Sequence, residues 1–117
     1  MLSFARRESA EPAISFLIGG GRGSRCALSF SADLAEVVIG RAPSCHVVVP
    51  GRDVSRRHAV ITMRGHQPLL EDLSVNGTYV NGVRVFQAYT SLPHRSLLVV
   101  GLFWIKVNFP ANEDVCR

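Results

Sequence analysis

Between Gly40 and Gly82 stand side chains that together suit an anion: the guanidiniums of Arg41 and Arg56, the hydroxyl of Ser55 and the carboxamide of Asn76. A guanidinium stays charged at every physiological pH, and its planar fork of donors matches phosphate oxygens two at a time. A serine hydroxyl adds a small donor where a second guanidinium would not fit. A carboxamide both donates to and accepts from a peptide backbone. This set suits recognition of a phosphate carried on a peptide. Ser55 and His58, with Asp53 or Asp72 to orient the ring, also have the types of a nucleophile and its base. No nucleophile elbow or oxyanion motif accompanies them, so no catalytic residue is assigned.

These residues fall at turns, and the elements between them must be strands. Apolar runs predict strands at residues 13–18, 25–30, 36–39, 46–49, 57–64, 68–73, 97–100 and 103–109, while residues 83–92 carry no clear pattern. Cys26, Leu28 and Phe30 share one face of their strand, as do Ala59, Ile61 and Met63 of theirs. Gly19-Gly20-Gly21-Arg22-Gly23 reads as a hairpin loop, since it lacks the G-x-x-x-x-G-K-[ST] order of a phosphate loop. Pro50-Gly51 signals a turn, and Asn76-Gly77 and Asn81-Gly82 each read as hairpin turns. No window sustains a helical period. Short strands at turn-punctuated spacing mean an all-β antiparallel sandwich or barrel. The expected organisation is a loose arm over residues 1–11, one domain over 12–110 and a tail over 111–117, with no room for a second module.

The chain's 117 residues suffice for one core without staples. Its net charge of +4 is carried almost wholly by arginine, because Lys106 is the only lysine. Within residues 40–58, Arg41, Arg52, Arg56 and Arg57 face a single acid, Asp53, a local excess that marks a site for an anionic partner. Cys26, Cys45 and Cys116 form no C-x-x-C pair and are odd in number, which favours a reducing, cytoplasmic setting over a disulfide framework. Cys45-His46 are adjacent and so point apart, and the remaining histidines supply no ligand spacing; neither a metal nor a cofactor is expected. The longest apolar run, residues 96–105, is about half of what spans a bilayer, so no membrane partner is expected.

Taken in order, Gly40-Arg41, Ser55-x-x-His58, Asp72-x-Ser74-x-Asn76-Gly77-Thr78 and Asn81-Gly82 resemble a forkhead-associated (FHA) domain. The resemblance implies an eleven-stranded antiparallel β-sandwich that binds phosphothreonine peptides with loops at one end, without catalysis, in kinase-linked signalling or assembly. It implies that Arg41 and Ser55 grip the phosphate, that Arg56 adds a second positive contact and that Asn76 bonds the peptide backbone. Gly40, His58, Gly77, Thr78 and Asn81 would support the site, with His58 bracing the Ser55 loop. Val75 stands where many members carry threonine or serine, leaving only its backbone N–H for the phosphate. Arg95-Ser96 replaces the glycine-aspartate usual before the penultimate strand. Members prefer phosphothreonine to phosphoserine by seating one methyl group, worth on the order of 0.8 kcal/mol by area. The expected partner is a threonine-phosphorylated protein bound by a monomer. Two other readings fit the residues: a basic nucleic-acid binder using residues 19–25 with Arg56-Arg57, or the same fold binding a partner, or its own copy, without phosphate.

Overall fold

A computed structural model of the chain describes residues 13–21, 23 and 25–110. The expected N-terminal arm and C-terminal tail lie outside the described residues. Eleven strands follow one another: β1 (Ala13–Gly20), β2 (Cys26–Ser31), β3 (Glu36–Gly40), β4 (Val47–Val48), β5 (Ala59–Arg64), β6 (Gln67–Asp72), β7 (Thr78–Val80), β8 (Val83–Val85), β9 (Tyr89–Ser91), β10 (Arg95–Val100) and β11 (Phe103–Asn108). They form a six-stranded sheet in the order β2-β1-β11-β10-β7-β8 and a five-stranded sheet in the order β4-β3-β5-β6-β9. All pairings whose register is defined are antiparallel except β3 with β4, which run parallel. The two-residue β4 therefore departs from the purely antiparallel sandwich expected from sequence.

Alternation of apolar and polar residues along each strand turns one face of each sheet inward. Ile14, Phe16 and Ile18 of β1, Leu98 and Val100 of β10, and Ile105 and Val107 of β11 meet Val37 and Ile39 of β3, Ala59 and Ile61 of β5, and Leu70 of β6. Each fully buried aliphatic or aromatic side chain stabilises the fold by roughly 1.5–3 kcal/mol. Phe30, carried inward by β2, packs edge-to-face with Phe16 at 5.7 Å between centroids. The face shared by Cys26, Leu28 and Phe30 thus points towards the core, although β2 is an edge strand and Cys26 at its end stays exposed.

Several turns differ from the sequence reading. Asn81-Gly82 does close a two-residue hairpin, with φ of 49° and 88° and Val80 opposite Val83. Asn76-Gly77 does not. It lies in the crossing from β6 in one sheet to β7 in the other, so no strand pair flanks it. The dipeptide's tolerance of positive φ is used only at Gly77, at 95°. Gly19 and Gly20, read as loop, are the last residues of β1 and pair with Trp104 and Phe103. Residues 83–92 hold two three-residue strands too short to show a period. Cys45 and His46 precede β4 rather than lying on it, one buried and the other exposed. The turn at Arg95-Ser96 forms without the glycine-aspartate pair, because the Ser96 hydroxyl donates to the Pro93 carbonyl at 2.8 Å.

Candidate functional site

Gly40 ends β3, and a Cβ at this position would overlap the carbonyl of Arg56. Only glycine lets the β3 end lie against the 51–58 loop. That contact is then fixed by the main chain: Arg41 N donates to Ser55 O at 2.9 Å, Ala42 N to Arg56 O at 3.1 Å and His58 N to Ile39 O at 2.8 Å. The Cys45 thiol also donates to Arg56 O, at 3.2 Å. Arg41 turns its Nε to the Val54 carbonyl at 2.9 Å, which orients an otherwise exposed guanidinium. Arg41, Pro50, Gly51 and Arg52 line an open depression of about 600 Å³ beside it.

Ser55 is half-buried, and its Oγ accepts from the Val75 N–H at 3.1 Å. The hydroxyl proton remains to be donated elsewhere. Val75 N–H thus meets Ser55, while Val75 as a whole is 75% exposed. Asn76 is exposed at the same end and its amide approaches the Asp53 carbonyl at 3.4 Å. Loops from three parts of the chain, around Arg41, Ser55 and Asn76, therefore lie side by side. Arg56 is exposed next to Ser55.

Two buried polar groups hold these loops. His58 is fully buried; its Nδ1 accepts from Ser55 N at 3.1 Å and its Nε2 lies 3.0 Å from Gly77 O. Accepting at Nδ1 and donating at Nε2 requires the neutral ring with its proton on Nε2. Burial pushes the His58 pKa below the ordinary value of 6.5, and the Gly77 bond and the Asp72 charge oppose this only in part. Asp72 is the second group. Its Oδ1 accepts from the Ser74 and Thr78 hydroxyls, both at 2.7 Å, and its Oδ2 from Gln87 N at 2.9 Å and Ser74 N at 3.3 Å. Burial alone would raise its pKa, but the donors from Gln87, Thr78 and Ser74 outweigh burial and hold the carboxyl below its usual range. Ser74 Oγ in turn accepts from Gly77 N, at 2.6 Å. Buried Asp72 and Thr78 thus clamp the turn that carries Asn76.

Asn81 lies apart from these loops and fastens the β7–β8 hairpin to β10: its N donates to Leu97 O and its Oδ1 accepts from Leu97 N, both at 2.8 Å. Sequence reasoning missed Arg84. Its Nε and Nη2 donate to the Asn76 carbonyl at 3.2 and 3.0 Å, and its guanidinium lies 4.7 Å from the Phe86 ring centroid. Its place opposite Tyr79 on β8 was the missing signal, and β8 carried no readable pattern. Among the described residues no group of three or more metal-ligating side chains gathers, and no helix is long and apolar enough to cross a membrane.

A two-sheet β-sandwich that holds a guanidinium, a hydroxyl and a carboxamide on adjoining loops at one end belongs to the class of loop-built ligand readers. The FHA domain family model matches residues 37–101, more than half of the chain, and the chain belongs to that family. Among solved structures, the FhaA FHA domain complexed with the intracellular domain of Rv3910 is 29% identical, with a TM-score of 0.66 over 81% of this chain and 99% of that one. The FHA domain of the CT664 protein from Chlamydia trachomatis superposes with a TM-score of 0.72 at 20% identity, over 85% and 99% of the two chains. The N-terminal FHA domain of S. cerevisiae Rad53p, solved with a phosphothreonine peptide, gives 0.67 at 20% identity, over 87% and 98%. No curated protein matches the chain by sequence.

Proposed function

We propose that this domain binds threonine-phosphorylated protein segments through Arg41, Ser55, Arg56 and Asn76 and performs no chemistry on them. The single observation that carries this reading is the junction of the Arg41 and Ser55 loops, with Arg41 N 2.9 Å from Ser55 O. It brings a guanidinium and a hydroxyl with a donatable proton to one end of a stiff sandwich. A phosphothreonine offers roughly −1.5 to −2 charges and three acceptor oxygens to such a pair. Asn76, on the adjoining turn, bonds the peptide backbone beside the phosphate in this reading. Val75 N–H serves by fixing the Ser55 oxygen rather than by meeting the phosphate itself. His58, Gly40, Gly77 and Thr78 set the loops, and Asn81 sets the sheet beneath them. The FhaA and Rad53p complexes support a domain or peptide as the kind of partner. The setting is kinase-linked signalling or assembly in a reducing cytoplasm, with the domain acting as a monomer.

Calorimetric titration with a degenerate phosphothreonine peptide library and then a selected peptide tests the reading. Hydrogen bonds to charged groups are worth about 1.5–3 kcal/mol, so Arg41→Ala or Ser55→Ala is expected to weaken binding about ten- to a hundredfold while the domain stays folded. Affinity should also fall below about pH 6, where the phosphate takes up its second proton. Unchanged affinity in both folded variants would refute the site.

A further inference from the structure

The strand register lays out the outer face of the six-stranded sheet in rows. One row runs Arg84, Tyr79, Val99, Trp104, Gly19, each residue directly opposite the next. A second runs Leu97, Lys106, Leu17, and a third begins Arg95, Asn108. On this face Tyr79 and Leu97 are 42% and 41% exposed among the described residues. None of the six strands contains a carboxylate, whereas three cations, Arg84, Lys106 and Arg95, project from this face. The opposite sheet carries Glu36 on β3, and Glu71 and Asp72 on β6.

We propose that this face is a second docking surface, for an acidic segment with apolar side chains lying beside the phosphothreonine in the same partner. Three observations select that occupant. A second copy meeting this face with its own six-stranded sheet would set cations against cations. Nucleic acid would want open rings for successive bases, but a Cβ on Gly19 would overlap the Trp104 ring, so that ring lies against the Gly19 backbone. Arg25 and Lys106 also crowd it, at 5.6 and 5.9 Å from its centroid. Tyr79 is left as the one open ring in its row. Finally, the face is continuous with the site: Arg84, which starts the first row, bonds the carbonyl of Asn76. A chain leaving the phosphate past Asn76 therefore runs onto the cationic, aromatic rows. From β8 to β11 is three strand spacings, about 14 Å at ~4.8 Å each. About five extended residues cover that distance. The anchor of this proposal rests on the phosphopeptide reading; the face itself does not.

The test titrates the whole chain with a short phosphothreonine peptide and with the same peptide extended, on each side in turn, by about eight residues of Asp, Glu, Leu and Val. Extension on one side is expected to tighten binding about tenfold, with the gain shrinking as salt shortens the Debye length. The Lys106→Glu, Arg95→Glu double variant, altered only at exposed positions outside the site, should lose that gain and keep the affinity for the short peptide. Equal affinity for short and extended peptides overturns the proposal, as does a gain that survives the charge reversal. If neither peptide binds, the phosphopeptide reading fails. The unphosphorylated extension titrated into nitrogen-labelled protein then still decides the face: shifts at Tyr79, Leu97 and Lys106 support it, and their absence overturns it. A single-stranded oligonucleotide that shifts those resonances at lower concentration than the extension overturns the assignment to an acidic protein.

Discussion

His58 has both ring nitrogens committed, one accepting from Ser55 and one donating to Gly77, and so cannot take a proton without losing a bond. Its folded-state pKa lies below the ordinary 6.5, so below that pH the unfolded chain takes up a proton that the folded one refuses. The contribution to stability is whole above 6.5 and declines as pH falls from there towards the lowered folded value. Urea unfolding of the free domain at about pH 7.5 and about pH 5.5 should show the loss. His58 ring nitrogen shifts should be those of the neutral Nε2–H form at about pH 7.5; a His58 midpoint above 6.5 would contradict the geometry. At this scale the sequence was informative where a residue's use follows from its type. Gly40 is such a case, since only an absent side chain fits against Arg56 O. Val75 was not, because its type does not show that its N–H reaches the Ser55 hydroxyl, a contact set by where the two loops meet.

The element that carries Asn76 is a sheet-crossing turn held from both sides. Asp72, Ser74 and Thr78 fasten it from within, and Arg84 reaches over from β8 to bond the Asn76 carbonyl twice. Arg84 thus fixes the backbone of the turn that presents Asn76. Arg84→Ala should weaken phosphopeptide binding by about 1 kcal/mol, roughly fivefold. In an Asn76→Ala background the same change should add almost nothing, because the two act as one unit. An equal loss in both backgrounds, measured by calorimetry, would show that Arg84 acts independently. Long alternating strands such as β1 and β5 were legible because a period of two repeats several times within them. The three-residue β8 and β9 were not, since so short a run holds at most one alternation. Asn76-Gly77 was read as a hairpin because the dipeptide's backbone preference is the same whether the next strand joins its own sheet or the other one.

Across the molecule, the two sheets share a single core, and Leu98 sits in it with no exposed surface, on a strand hydrogen-bonded to β7 and β11. Leu98→Ala should cost about 2–5 kcal/mol, depending on how far the neighbours close the space. Denaturant unfolding measures it, and a loss under about 1 kcal/mol would mean that the sheets pack more loosely than described. Pairing between strands distant in sequence also sorted the charges. Carboxylates were left off the strands of one sheet, and three cations were gathered on the outer face that also carries Tyr79 and Trp104, an arrangement that composition alone does not reveal.

By itself the sequence determined an all-β chain, the Asn81-Gly82 hairpin, and a set of side chains fit for a phosphate, because periodicity and turn chemistry are local. Only the tertiary structure decided that Asn76-Gly77 crosses between sheets, that Val75 N–H supports Ser55 and that Arg84 holds Asn76. Each of those depends on which strands lie side by side. That choice belongs to burial of the shared core, which no single stretch of residues encodes.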